Sequence, residues 1–327
     1  MDTHNPTADR QPPFIGRALL RSLMGPDDYL IAVEAAFRAH AQGRTSQPMP
    51  LHIAVEEGGF HAKGAMAILD RAYVAVKVNS NFPGNPARGL PTIQGAALLY
   101  DAVDGRLLAI LDSMEITARR TAAASVLAAR YLARRDASTI AICGCGEQGR
   151  AQLEAFVREF RVARARVWDV DGAKAERFAD DVRMVPGVNA TAAASLRDAT
   201  LDADIVVTAT SSPRAFLTRD CVRPGTFIAA VGADNPHKSE IAPELMADAT
   251  VVADSLEQCV AMGDLHHAIA AGLATRDSVH AELADLVGGR RAGRSRPEEI
   301  TVFDSTGMAI QDVASAAVAW ARWSATA

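Results

Sequence analysis

Six consecutive residues, Gly144-Cys145-Gly146-Glu147-Gln148-Gly149, carry the densest chemical signal in the sequence. They follow the apolar run TIAIC and open a helical stretch near Gln148, the context in which a GxGxxG turn holds a pyrophosphate. Gly144 and Gly146 would permit the tight turn and close approach of the ligand. Gly149 would let helix pack on strand, and the helix N-terminus would stabilise the negative charge. Asp169 stands twenty residues beyond Gly149, at the end of ARVWD. A carboxylate there accepts hydrogen bonds from ribose hydroxyls and repels a 2'-phosphate, so the expected cofactor is NAD rather than NADP. The competing reading is a glycine turn that holds no ligand.

Other candidates are charged groups in apolar company. In YVAVKVN, residues 73–79, Val74, Val76 and Val78 share one face of a strand, and Tyr73, Ala75, Lys77 and Asn79 share the other. If the second face lines a cleft, the Lys77 ammonium is desolvated, its pKa falls and it can move protons; otherwise it is a lysine on a solvated sheet. On a helix, Arg120 shares a face with Ala124, Leu127 and Tyr131, so its guanidinium points with the packing residues and needs an anion. A substrate carboxylate, a cofactor phosphate or a neighbouring Asp or Glu would each serve. Asp234 follows the run TFIAAVGA and Asp304-Ser305 follows EITVF, which puts both at carboxyl ends of strands, where open parallel sheets bind ligands. Asp234 could equally cap a helix starting near Pro236.

The elements that must position these groups fall into two kinds. Pro26 to Gly43 reads as a helix, with Asp27 and Asp28 at its positive end and Gly43 at its stop. The alternating strand around Lys77 is followed by a turn-rich loop, NFPGNPARGLPT, then by GAALLYDA and RLLAIL, joined through Asp104-Gly105. This first third predicts a mostly antiparallel sheet with flanking helices. From Glu115 an Ala-rich helix runs through EITARRTAAASVLAARYLARR, and thereafter apolar strands alternate with helices as in a doubly wound parallel sheet. The predicted strands are TIAIC, ARVWD, DIVVTAT, TFIAAVG, ATVVAD and EITVFD. GGRRAGRSRPEE reads as a solvated loop.

The 327 residues suggest two domains. Hydrophobic residues at 49% and charged residues at 22% describe a folded globular chain. The net charge of -5 leaves no positive field to hold nucleic acid. No apolar run reaches the roughly 18 residues a membrane span requires, and the start MDTHNPTADRQPPF lacks a leader pattern. Cys143, Cys145, Cys221 and Cys259 form no disulfide framework and no zinc spacing, and the His266-His267 pair has no metal-ligand spacing. A cytoplasmic protein without a metal is expected.

In their order, VKVNSNFPGNPARGLPTIQG, RTAAASVLAARYLA, GCGEQG, VGADNPHKSE and TVFDSTGMAIQDVA resemble the ornithine cyclodeaminase/mu-crystallin family, from about Met24 to Trp320. The resemblance implies NAD(P)-dependent hydride chemistry at the α-carbon of a small amino acid or its imine, in a two-domain homodimer. It implies that Lys77 holds the substrate carboxylate and assists proton transfer, that Arg120 binds carboxylate and cofactor, and that Asp234 is the acid/base. Thr92, Glu147, Gln148, Asp169, Lys238 and Ser305 match cofactor-contacting positions, and Thr306 a position that sorts substrates. The sequence departs from the family in QPMPLHI, where Pro50 replaces a basic residue, and in FHAKGA, where Lys63 stands in for an arginine. Its ending is closer to alanine-dehydrogenase-like members, so an amino-acid dehydrogenase or ketimine reductase is expected ahead of an ornithine cyclodeaminase or a non-catalytic crystallin. The expected fold is α/β: a Rossmann-type doubly wound parallel sheet, residues 126–300, inserted into a mixed α+β substrate and dimerisation domain, residues 1–125 plus 301–327.

Overall fold

The structure, a computed structural model, describes residues 11–184 and 187–326; the first ten residues, which hold most of the segment read for a leader, lie outside them. A seven-stranded sheet is built from β1 (Phe14–Ile15), β2 (Thr45–Ser46), β3 (Leu51–Val55), β4 (Gly58–Ile68), β5 (Ala72–Asn81), β6 (Ile93–Asp101) and β7 (Leu107–Asp112). Its order is β1-β7-β6-β5-β4-β2, with β3 also on β4. All its pairs are antiparallel except β1 with β7. Helices α1 (Arg17–Leu23), α2 (Pro26–Ala41) and α3 (Ser113–Leu132) flank it. As the sequence predicts, α2 stops before Gly43, whose φ of 69° only glycine adopts easily. Asp112 caps α3, accepting from the Glu115 N–H at 2.8 Å.

The second sheet holds β8 (Thr139–Cys143), β9 (Arg164–Trp168), β10 (Asn189–Ala192), β11 (Ile205–Thr208), β12 (Phe227–Ala230), β13 (Thr250–Ala253), β14 (Ala281–Glu282) and β15 (Thr301–Asp304), all parallel. The order β10-β9-β8-β11-β12-β15-β13-β14 reverses direction between β8 and β11, the switch point where doubly wound sheets take ligands. Around it run α4 (Glu147–Glu159), α5 (Gly172–Arg183), α6 (Leu196–Thr200), α7 (Pro243–Asp248), α8 (Leu256–Met262), α9 (Asp264–Ala270) and α10 (Leu283–Val287). Helix α11 (Ala309–Thr326) returns to the first sheet and packs on β4, β5, α2 and α3. Among the described residues no helix is long and apolar enough to cross a membrane.

Three expectations need correction. β15 lies inside the parallel sheet between β12 and β13, so the chain leaves the Rossmann unit after Asp304 and not at residue 300. α3 runs unbroken through residue 125 and packs on α2, α4 and α11, so it belongs to both bodies. The basic stretch is not simply a solvated loop: Arg294 donates to the Leu132 carbonyl at 2.7 Å and to Thr301 Oγ1 at 3.0 Å. The neighbouring Gly293 has no room for a side chain, because a Cβ there would lie 2.2 Å from the Tyr131 carbonyl.

Candidate functional site

β5 alternates as its sequence requires, and Lys77 points inward, only 4% exposed, under α3 and α11. Its ammonium lies 2.8 Å from Asp312 Oδ2 and donates to Thr117 Oγ1 at 3.1 Å. Burial lowers the Lys77 pKa to about 7; Asp312 resists that fall, and Arg120 and Lys63 add to it. Arg120, on α3, donates through Nε to Asp312 Oδ1 and through Nη1 to Gln311 Oε1, both at 3.1 Å. Of the three anions the sequence allowed, this one is a neighbouring Asp. Only two of the five guanidinium N–H groups are used in these bonds, which leaves donors for a ligand as well. Burial would raise Asp312, but Lys77 and Arg120 outweigh it and hold the carboxyl below its ordinary range.

Lys63 stands directly across the ladder from Lys77. Its Nζ donates to the carbonyls of Thr306 at 2.9 Å and Gly307 at 3.0 Å, so the turn after β15 is tied to β4. Gly307 passes over Arg120 at φ 83°, and a Cβ there would lie 2.6 Å from Arg120 Nη1. The floor of the site therefore presents three basic side chains, Lys63, Lys77 and Arg120, and two buried carboxylates, Asp312 and Asp254. The guanidinium N–H groups left over at Arg120 suit an anionic substrate group.

The glycine turn lies at the switch point, at the end of β8. Gly144 takes φ 105°, and a Cβ there would meet the Ala209 carbonyl at 2.5 Å; at Gly149 it would meet the Gly144 carbonyl at 2.1 Å. Gly146, extended at the start of α4, faces open space. Asp169 accepts from the Cys145 N–H at 2.8 Å and pairs with Lys174 at 2.9 Å. Burial would raise this carboxyl, but those partners keep it below its ordinary range and ionised. An open glycine at a helix N-terminus with an ionised acid at the next strand end fits a dinucleotide.

The ornithine cyclodeaminase/mu-crystallin family profile matches residues 20–327. The chain belongs to that family. It is 36% identical over 301 residues to alanine dehydrogenase of Archaeoglobus fulgidus, covering 92% of each chain. Among solved structures, an archaeal alanine dehydrogenase dimer with bound NAD superposes with a TM-score of 0.92 at 35% identity, over 96% of this chain and 97% of that one. The Thermococcus litoralis Δ1-pyrroline-2-carboxylate reductase in complex with NADH and L-proline also reaches 0.92, at 32% identity over 96% and 98%.

The cyclodeaminase-family positions fall unevenly around this floor. Asp234 lies on an exposed loop four residues beyond β12, paired with Lys238 at 2.7 Å. Although its side chain is about half exposed, the protein packed beneath the loop would raise the Asp234 carboxyl, yet the charges of Lys238, Lys63 and His61 keep it below the ordinary carboxylate range. No helix begins at Pro236, the next being α7, so Asp234 is not a helix cap. Ser305 and Thr306 are buried with their hydroxyls turned back to Asp254, at 3.1 and 3.2 Å. Asp304 likewise faces away from the cleft, accepting from the N–H groups of Asp264 at 3.3 Å and Leu265 at 2.9 Å. Glu147 is exposed, 3.6 Å from Arg17, and Gln148 donates to the Ala118 carbonyl at 3.4 Å. Thr92, before β6, accepts from the Phe82 N–H, and among the described residues no hydrogen bond joins it to the Rossmann unit. His266 and His267 bond backbone carbonyls of Val260 and Lys238.

Sequence reading missed Asp312 and Asp254. Asp254 holds Ser305, Thr306 and, at 2.6 Å, the Gly307 N–H, so it shapes the turn over Arg120. A signal for Asp312 existed: it is the one acidic residue in the apolar run AIQDVASAAVAW, which forms most of α11.

Proposed function

We propose that the protein is an NAD-dependent amino-acid dehydrogenase or imine reductase, acting at the α-carbon of a small amino acid or its imine. The observation that carries this reading is Lys77, buried between Asp312 and Arg120 and titrating near neutrality. A proton-transfer group works best when its pKa lies near the working pH. Arg120 and Lys63 bind the substrate α-carboxylate and fix the α-carbon. Lys77 takes the proton from the substrate amine in the oxidative direction and returns it to nitrogen in the reductive one. Asp234, ionised at the mouth of the cleft, accepts a proton from the water that attacks the imine carbon. NAD, held at Gly146, α4 and Asp169, supplies the hydride acceptor or donor that no side chain provides. The ionised Asp169 supports NAD over NADP.

A homodimer is part of the proposal. Leu51, Ile53 and Val78 stand on the face of the first sheet opposite Lys77, at 58%, 52% and 41% exposure. Half-buried Val74 and Val76 share that face. An apolar sheet face of this kind calls for a cover.

The test is a panel of amino acids with NAD+, and of oxo acids plus ammonia or cyclic imines with NADH, followed at 340 nm with product analysis. A net change in NADH is expected with at least one small substrate, and Lys77→Ala should lower turnover by about 100-fold. Proline formed from ornithine without net NADH change would replace the reading by a cyclodeaminase. Tight NADH binding without turnover would replace it by a binding protein.

A further inference from the structure

Glu240 is fully buried on the loop between β12 and α7 and has no part in the mechanism above. Its carboxylate accepts four hydrogen bonds. Oε1 takes the Thr210 N–H at 2.6 Å and the Thr210 hydroxyl at 2.7 Å. Oε2 takes the Thr208 hydroxyl at 2.7 Å and the Gly232 N–H at 2.8 Å. Gly232 and Glu240 stand near the two ends of this loop, so one carboxylate closes residues 232–240 on themselves, with Asp234 and Lys238 in the span. Gly232 is moulded to this contact: a Cβ there would lie 2.4 Å from the Glu240 carboxyl carbon.

The same carboxylate reaches the exit of β11. That strand pairs with β8, Thr208 opposite Cys143, immediately before the glycine turn. The Glu240 N–H is held in turn by Asp264 Oδ1 at 2.7 Å, which also takes the Ile241 N–H at 3.0 Å. The loop end is thus fixed on both sides of the peptide. A side chain surrounded by four donors is an acceptor in every direction, and a neutral amide cannot satisfy all four.

We propose that Glu240 is a positioning residue for the reaction, clamping the Asp234 loop to the β11 exit so that the Asp234 carboxylate is presented to the cleft at a fixed height. The inference rests on the assignment of Asp234 as a proton-transfer group. Burial and the charge of Asp264 push the Glu240 carboxyl up to about 7, against the pull of the hydrogen bonds from Thr210 and Thr208.

A double-mutant cycle of Glu240→Gln and Asp234→Asn tests this, with kcat, KM for the amino acid and Kd for NADH measured on each purified variant. Glu240→Gln is expected to lower kcat about tenfold or more, while KM and Kd stay within about twofold of wild type. The double variant is expected to be no slower than Asp234→Asn alone. Multiplying losses, or an unchanged kcat in Glu240→Gln, would overturn the positioning role. If Asp234→Asn itself keeps full turnover, the assignment of Asp234 fails first, and the cycle shows which of the two has failed. Should Glu240→Gln not fold, Thr210→Val removes one donor to the same carboxylate and is expected to repeat the pattern more weakly; losses that multiply with Asp234→Asn would again overturn the role.

Discussion

Lys77 is useful because Asp312 and Arg120 act on its proton in opposite directions, and burial makes both effects large. Asp312→Asn keeps the shape of the side chain and removes its charge. The ammonium then loses the charged partner that resists its desolvation, so the Lys77 pKa must fall further below about 7. In the reductive direction the protonated lysine is the donor, and the alkaline limb of kcat/KM should move down by about one pH unit or more. A pH profile of wild type and variant checks this, and an unmoved limb would assign the titration to another group. At this scale the sequence was readable where a charge broke an apolar pattern, as at Lys77 and Arg120. It was not readable where the partner lay far along the chain. Lys77 meets Asp312 only because α11 returns across β5, and spacing within one element carries no trace of that return.

Elements were legible in proportion to their patterning. β5 alternates and the other strands of the parallel sheet are apolar runs, whereas β10 (NATA) and β14 (AE), at its two opposite edges, are too short and too weakly apolar to announce themselves. Turns were legible by glycines such as Gly43 and Gly144, but not at Gly307, and Gly307 and Gly146 should respond differently to substitution. Gly307→Ala places a Cβ against Arg120 at a backbone angle that alanine avoids. It should cost about 1–3 kcal/mol of stability and raise KM by displacing the guanidinium. Gly146 adopts an ordinary extended conformation with open space around it, so Gly146→Ala should leave the melting temperature within a few degrees while weakening NADH binding. Thermal denaturation beside NADH titration separates the two. Equal melting temperatures for Gly307→Ala and wild type would remove the strain assigned to the turn over Arg120.

Across the whole molecule, the two faces of the antiparallel sheet have different tasks. The inner face carries Lys63 and Lys77 and is covered by α11 and α3. The outer face presents Leu51, Ile53 and Val78 with no cover among the described residues, although a solvated antiparallel face ordinarily alternates to polar side chains. A second copy of the chain is the simplest cover, since an isologous pair would bury the same residues twice. Ile53→Asp with Val78→Asp places two charges on that face. Because side chains alternate, neither points towards Lys77 or its core. The variant should therefore keep its circular dichroism spectrum and sediment as a monomer at concentrations where the wild type is expected to sediment as a dimer, since burying an unpaired charge costs several kcal/mol at an interface. A dimer that survives both charges would place the interface elsewhere on the molecule and leave this apolar face in need of another partner.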